Sequence, residues 1–278
     1  MSSEKDQQYC AAQVRDYDYQ RYFAAAFAPL DARRALYALY AFNLEIASTR
    51  ERVSETLIGE MRLQWWRDTL DGIYAGAVRR HAIAEELARA IGRYGLDRPL
   101  FDTMIDARSF DLDDAPPEDM PALERYADAT AGGLAALAGA VCGSDDARLR
   151  QAGLAWGLAG ILRAAAFHAS IGKVFVPRDA LRRAGVTPDG FRRGAGAGIA
   201  AAAVAPVAAR AAALLEKFAA DFRDLPRPAR PATAYVAVAQ RYLQRLERAG
   251  NDVFAGGLEP GRLGAQWPIL RAAVAGRI

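Results

Sequence analysis

The sequence predicts an all-α protein, and three observations carry that expectation. Apolar residues recur at helical spacing along almost all of the 278 residues. No stretch alternates apolar and polar residues with period two for long enough to build a sheet. Neither an internal repeat nor a clear interdomain linker appears, so one helical domain is the economical arrangement, residues 17–278 after a tail of 1–16.

The elements follow in order. The opening MSSEKDQQYC carries charges of both signs and no apolar core, so it is expected as a tail without signal-peptide character. A first helix is expected over Tyr17 to Ala28, stopped by Pro29. Asp31 can cap ARRALYALYAFNLEIAS, which is apolar around most of its circumference and therefore central. Ser54 can cap SETLIGEMRLQWWRDTLDGIYAG, which ends at Gly76. On that helix Arg67 and Asp71 stand at pairing distance, and Trp65, Trp66, Leu63 and Ile73 read as core packing. Further helices are expected at 81–93, 97–110, 119–142 (broken near Gly132-Gly133) and 145–171. Asp111 to Pro117 reads as an acidic loop, and short helices follow Pro177. Long helices are expected at 198–222 and 231–248, with a proline-rich loop from Pro226 to Pro231 between them.

Composition narrows the function classes. With 36 basic and 33 acidic residues the net charge of +3 is too balanced to argue for nucleic acid. Cys10 and Cys142 stand alone and far apart, and His81 and His168 are the only histidines, which argues against a disulfide framework or a Cys/His metal site. A reduced, cytoplasmic setting fits. The uncharged run GAGAGIAAAAVAPVAA (194–209) is short of the roughly 20 residues that span a bilayer and contains Pro206; a packed Ala-rich helix is expected. Its glycines follow no strand, so they are no phosphate loop. Arginine pairs at 33–34, 79–80, 182–183 and 192–193 leave peripheral contact with an anionic membrane face open.

Two segments carry a resemblance. RRALYALYAF (33–42), followed by a helix ending DGIYAG, and ILR-x8-GKVFVP (161–177) are similar to paired segments of the squalene/phytoene synthase family. Tyr126 and Ala131-Gly132 fall where that family has a tyrosine and a helix break. The resemblance implies an isoprenoid synthase-like helical bundle around a central apolar cavity. It also implies Mg²⁺-dependent head-to-head joining of prenyl diphosphates, with two acidic clusters holding the metal.

The acids are where this sequence departs. The first cluster aligns with Ala47, Ser48 and Glu51, the second with Ala164, Phe167 and His168, so one carboxylate of six remains. Leu44 replaces a family arginine, and Asp18 and Gln20 replace a pair of serines. Losing one preorganised charge-stabilising group typically costs about 3 kcal/mol, roughly a hundredfold in rate. Losing most metal ligands goes further, because the metal itself is not held.

AFN-x-E-x-A, SE-x-x-IG-x-MR-x-QWW and LRA-x-x-FH-x-S-x-x-KVFVP resemble a non-catalytic branch of the family, typified by a mitochondrial complex I assembly factor and its bacterial relatives. That branch implies no cofactor, a partner that is a complex I subunit or assembly intermediate, and room for an isoprenoid or lipid in the cavity. Asn43, Glu45, Tyr126, Arg163 and Lys173 are the candidate cavity or anion contacts. A buried Glu45 would need an arginine partner. Two alternatives stay open. One is a prenyltransferase whose Mg²⁺ sits on Glu51 with Glu45, Asp111 or Asp113; the other is an isoprenoid- or quinone-binding module without catalysis.

Overall fold

The computed structural model describes residues 2–53, 55–194 and 197–278, and every regular element among them is helical. The expected tail is the first departure: Ser2–Tyr17 forms helix α1, which packs on the third and fifth helices. Cys10 and Val14, one turn apart, are its fully buried residues. Asp18 then breaks the chain and its carboxylate accepts from the Arg21 N–H, starting α2 (Tyr19–Ala25).

Pro29 precedes α3 (Leu30–Ala47), whose buried residues run almost without interruption from Ala35 to Asn43. Asp31 is not its cap. It lies inside the first turn and pairs with Arg93. Helix α4 (Thr56–Tyr74) buries Leu63, Trp66 and Ile73, as its pattern predicts, and is followed by Gly76 at φ +78. Arg67 reaches Asp106 and Asp71 reaches Arg98, so the expected pair within the helix is replaced by two contacts to a neighbour. The cap expected at Ser54 lies outside the described residues.

Helices α5 (Ala82–Tyr94) and α6 (Arg98–Arg108) complete one apolar core with α1, α3 and α4. The stretch 119–142 becomes α7 (Met120–Ala127), a π turn (Asp128–Gly132) and α8 (Gly133–Val141). The break expected near Gly132-Gly133 is this π turn. Its backbone is pressed against α9 (Ala147–Arg163), where a Cβ on Gly153 would stand 2.3 Å from the Ala131 carbonyl oxygen. Helix α9 stops at Ala164, and α10 (Ala165–Ser170) starts from the same residue, so the expected helix over 145–171 is interrupted there.

Two short helices, α11 (Arg178–Arg183) and α12 (Pro188–Arg192), precede α13 (Ala197–Asp221). By length and composition α13 could cross a membrane. Here it lies on α9 and buries Val204, Val207, Ala211, Leu215 and Phe218. It runs straight through Pro206, which is exposed, as is Ala202, whose carbonyl loses its helical donor to the proline. Of the glycine-rich opening expected at 194–200, residues 195 and 196 lie outside the described residues. Short 3₁₀ turns between 227 and 236 lead into α14 (Ala237–Arg248). A last helix not expected from the sequence, α15 (Arg262–Leu270), packs on α2 and ends in a second π turn. The second core gathers around α9, α13, α14 and α15.

Candidate functional site

A cavity of about 240 Å³ opens among α2, α3, α6, α7 and α9. Its apolar wall comes from Trp156, Gly157, Gly160 and Ile161 on one face of α9 and from Ala127 and Ala131 packed beside Gly157. Nothing lies within 4 Å of where a Cβ on Gly160 would be, so this glycine leaves open space. The volume is below the roughly 300–1,000 Å³ of sites that enclose drug-sized ligands. The remaining wall mixes Ala47, Ala164, Ile171 and Phe175 with polar side chains.

Three polar groupings reach that wall. Arg21 and Asp18 form a buried ion pair at 2.6 Å. The Arg21 guanidinium lies 4.8 Å from the Tyr235 ring centre and 5.6 Å from that of Trp156. Burial opposes the Arg21 charge, but Asp18 outweighs it and holds the group protonated. Arg108, Asp111 and Tyr126 close a buried triangle. Arg108 Nη1 donates to the Tyr126 hydroxyl at 2.7 Å and to Asp111 Oδ2 at 3.1 Å, and that hydroxyl donates to Asp111 Oδ1 at 2.6 Å. Lys173 is the third. Its ammonium donates to the carbonyls of Phe110 at 2.7 Å, Ala115 at 3.1 Å and Asp113, above the Phe110 ring.

Several expected site residues stand elsewhere or are otherwise occupied. Lys173 lines the cavity, yet its three N–H groups are all taken by the 110–115 loop, leaving none for an anion. Arg163 does not line the cavity; it lies over the Trp156 ring at 5.2 Å and holds Glu259 through two bonds of 2.8 and 3.0 Å. Glu45 does not line the cavity either; it is largely buried and has its arginine partners, Arg52 at 2.8 Å and Arg62 at 3.3 Å. Asn43 and Tyr126 do line the cavity. The sequence reading missed Arg21, Arg108 and Trp156. The i, i+3 spacing of Asp18 with Arg21 and of Arg108 with Asp111 was the available signal.

The six positions aligned with the family's acids differ sharply from a metal site. Ala47 and Ala164 face the cavity and have no side-chain oxygen. The Ser48 hydroxyl donates to the Leu44 carbonyl at 2.7 Å, and Phe167 is exposed. Glu51 lies at the mouth, its carboxyl pKa raised by burial and by Asp111 against the pull of Arg52. His168 packs on Phe175, its ring centre 4.8 Å away. Burial, then Arg108 and Lys173, push its pKa down to about 4, so it is neutral at cellular pH. Nδ1 of His168 and Nε of Arg21 and of Arg108 are buried at this cavity without a hydrogen-bond partner in the protein.

Mg²⁺ needs near-octahedral oxygen ligands, usually including one or two carboxylates. The residues at these positions do not fit it. Among the described residues, no three His, Cys, Asp or Glu side chains are grouped to hold a metal ion. The other acids near the mouth are committed: Asp111 to Arg108 and Tyr126, Asp113 to the Ala115 N–H.

The squalene/phytoene synthase family model matches residues 14–268. Complex I assembly factor 6 of Bos taurus is 32% identical over 250 residues, covering 88% of this chain and 75% of that protein. Presqualene diphosphate synthase of Rhodopseudomonas palustris is 29% identical over 252 residues, covering 87% and 88%. A dehydrosqualene synthase solved with a ligand superposes with a TM-score of 0.84 over 96% of this chain and 95% of its own, at 19% identity. That likeness establishes the isoprenoid synthase-like fold.

Proposed function

Because this chain belongs to the squalene/phytoene synthase family but keeps one carboxylate where six would hold metal, we propose that it is a non-enzymatic assembly factor for respiratory complex I (NADH:quinone oxidoreductase). One observation carries the reading: of the four aligned metal-ligand positions that line the cavity, Ala47, Ala164 and a neutral His168 offer no carboxylate, and Glu51 stands alone. The similarity to complex I assembly factor 6 supports a complex I subunit or assembly intermediate as the partner. The protein works without Mg²⁺ through contacts with that partner, in the cytoplasm or on the inner face of the cytoplasmic membrane.

A rearranged prenyltransferase site finds little support. Glu45, Asp111 and Asp113, the acids that would join Glu51, each already serve arginine, tyrosine or backbone partners. The cavity itself favours a second role within the same reading. Its open volume beside Gly160, with unpartnered polar nitrogens around it, suits one small ligand with a polar head, such as a quinone or an isoprenoid end.

The first test is incubation with Mg²⁺ and farnesyl or geranylgeranyl diphosphate. Diphosphate release at the level of a heat-killed control is expected; release with a coupled prenyl product overturns the non-enzymatic reading. Deleting the gene should lower NADH:quinone oxidoreductase activity while carotenoids and hopanoids stay unchanged. Normal oxidoreductase activity in the deletion strain would sink the assembly role. Native mass spectrometry of the purified protein tests the cavity, where an empty chain counts against a bound isoprenoid.

A further inference from the structure

Helix α15 is held to the domain by one apolar face and offers a second to solvent. Ala265, Ile269 and Ala272 are buried on the inner side, against α2 and the turn before α14. On the outer side Leu263, Trp267, Leu270 and Val274 follow at spacings of four, three and four residues, which places them along one narrow arc. Their exposures are 81, 60, 37 and 63%. A single exposed leucine is ordinary surface, whereas four large apolar side chains in a line on one element are not.

The charges around this line all have one sign within the segment. From Pro260 to Ile278 there is no Asp or Glu. Arg262, Arg271 and Arg277 are exposed, and none forms an ion pair among the described residues. Arg262 lies over the Tyr19 ring at 5.2 Å, with Asp16 of α1 as the acid within its field. From α14, Arg241 donates to the Gly264 carbonyl and Arg245 to that of Glu259, which brings two more cations to the base of the helix. Glu259, just before the segment, is held by Arg163. In the arginine pairs at 33–34, 79–80, 182–183 and 192–193 one member of each is less available: Arg34, Arg79, Arg183 and Arg192 each pair with an acid.

We propose that the outer face of α15 is a docking surface for an anionic phospholipid bilayer. Leu263, Trp267, Leu270 and Val274 enter the boundary between headgroups and acyl chains, and Arg262, Arg271 and Arg277 meet lipid phosphates. The occupant follows from charge complementarity. An apolar line with a tryptophan in it, flanked by three arginines from its own segment with Asp16 of α1 as the one acid in the field of Arg262, matches a surface that is hydrocarbon below and anionic above. This inference rests on the surface of α15, and it stands or falls separately from the complex I reading.

The test uses the full chain with vesicles of phosphatidylcholine alone and of phosphatidylcholine with phosphatidylglycerol. Co-sedimentation with the anionic vesicles is expected. The double variant Leu263→Ser, Trp267→Gln should lower the partition coefficient at least tenfold, with an unchanged circular dichroism spectrum because both side chains are exposed. Arg271→Gln should lower it about fivefold, on anionic vesicles only. Acyl chains brominated near the headgroup should quench part of the tryptophan emission in the natural protein, and Trp267→Phe should remove that quenching. Absence of binding to anionic vesicles overturns the proposal, as does binding that the double variant leaves intact. Self-association that the double variant abolishes, with no vesicle binding, would assign the face to a second copy of the chain instead.

Discussion

Replacing His168 by Phe should remove a specific acid sensitivity from the protein. His168 sits at the cavity against Phe175, with its pKa pushed down to about 4 from the ordinary 6.5. The sign follows from which state binds the proton. In the unfolded chain the imidazole takes up a proton as pH falls through 6.5, whereas in the folded chain it stays neutral until about 4. The stabilisation is therefore complete above pH 6.5, is lost progressively between 6.5 and 4, and changes no further below that. At about 1.36 kcal/mol per pH unit, the full loss from this one group is about 3 kcal/mol. Phenylalanine keeps an aromatic ring against Phe175 and has no proton to bind. Urea unfolding followed at 222 nm, at pH 7, 6, 5 and 4.5, measures the difference between the two proteins. The natural protein should lose about 2 to 3 kcal/mol more than His168→Phe across that range. Parallel stability profiles for the two would refute the claim that His168 is held neutral by burial and its cationic neighbours.

Three further substitutions test the frame around the cavity. Lys173→Met should cost about 3 to 5 kcal/mol, because three carbonyls of the 110–115 loop lose a charged donor, and amide exchange in that loop should rise selectively. Gly153→Ala should cost about 1 to 3 kcal/mol of unfolding free energy, measured by denaturant titration, since its new Cβ would meet the Ala131 carbonyl oxygen at 2.3 Å and the Gly132 Cα at 2.8 Å, both backbone atoms. Arg163→Ala should change stability by at most about 1 kcal/mol and leave any ligand found in the cavity bound, because the arginine faces a half-exposed Glu259.

The helical frame was legible because its signal is local. Periodicity placed α3 to α9 and the long α13 and α14 close to where they lie, and the break at Gly132-Gly133 marked the π turn. Helix α1 escaped because its buried stripe is narrow, Cys10 and Val14 in an otherwise polar stretch. Helix α15 escaped because Gly264 and Pro268 interrupt a short apolar pattern. Of the positions aligned through the family resemblance, Ala47, Glu51, Ala164 and His168 line the cavity, since the shared helical frame fixes where each backbone position lies. The resemblance could not say where long side chains end. Arg163 finds Glu259 ninety-six residues later, and Lys173 finds carbonyls about sixty residues earlier. Such partners are set by tertiary packing, which no local spacing encodes.

The cavity and the α15 face handle charge in opposite ways. Around the cavity each arginine has its own acid: Arg21 with Asp18, Arg50 with Asp114 and Arg108 with Asp111. On α15 the arginines face solvent with no such partner. Ionic strength therefore separates the two surfaces. At 0.15 M salt the screening length is about 8 Å, enough to weaken what exposed arginines feel at a distance, while the buried Arg21–Asp18 and Arg108–Asp111 pairs are screened far less. Moving the protein from dilute buffer to concentrated salt should release whatever α15 holds and leave the contents of the cavity in place.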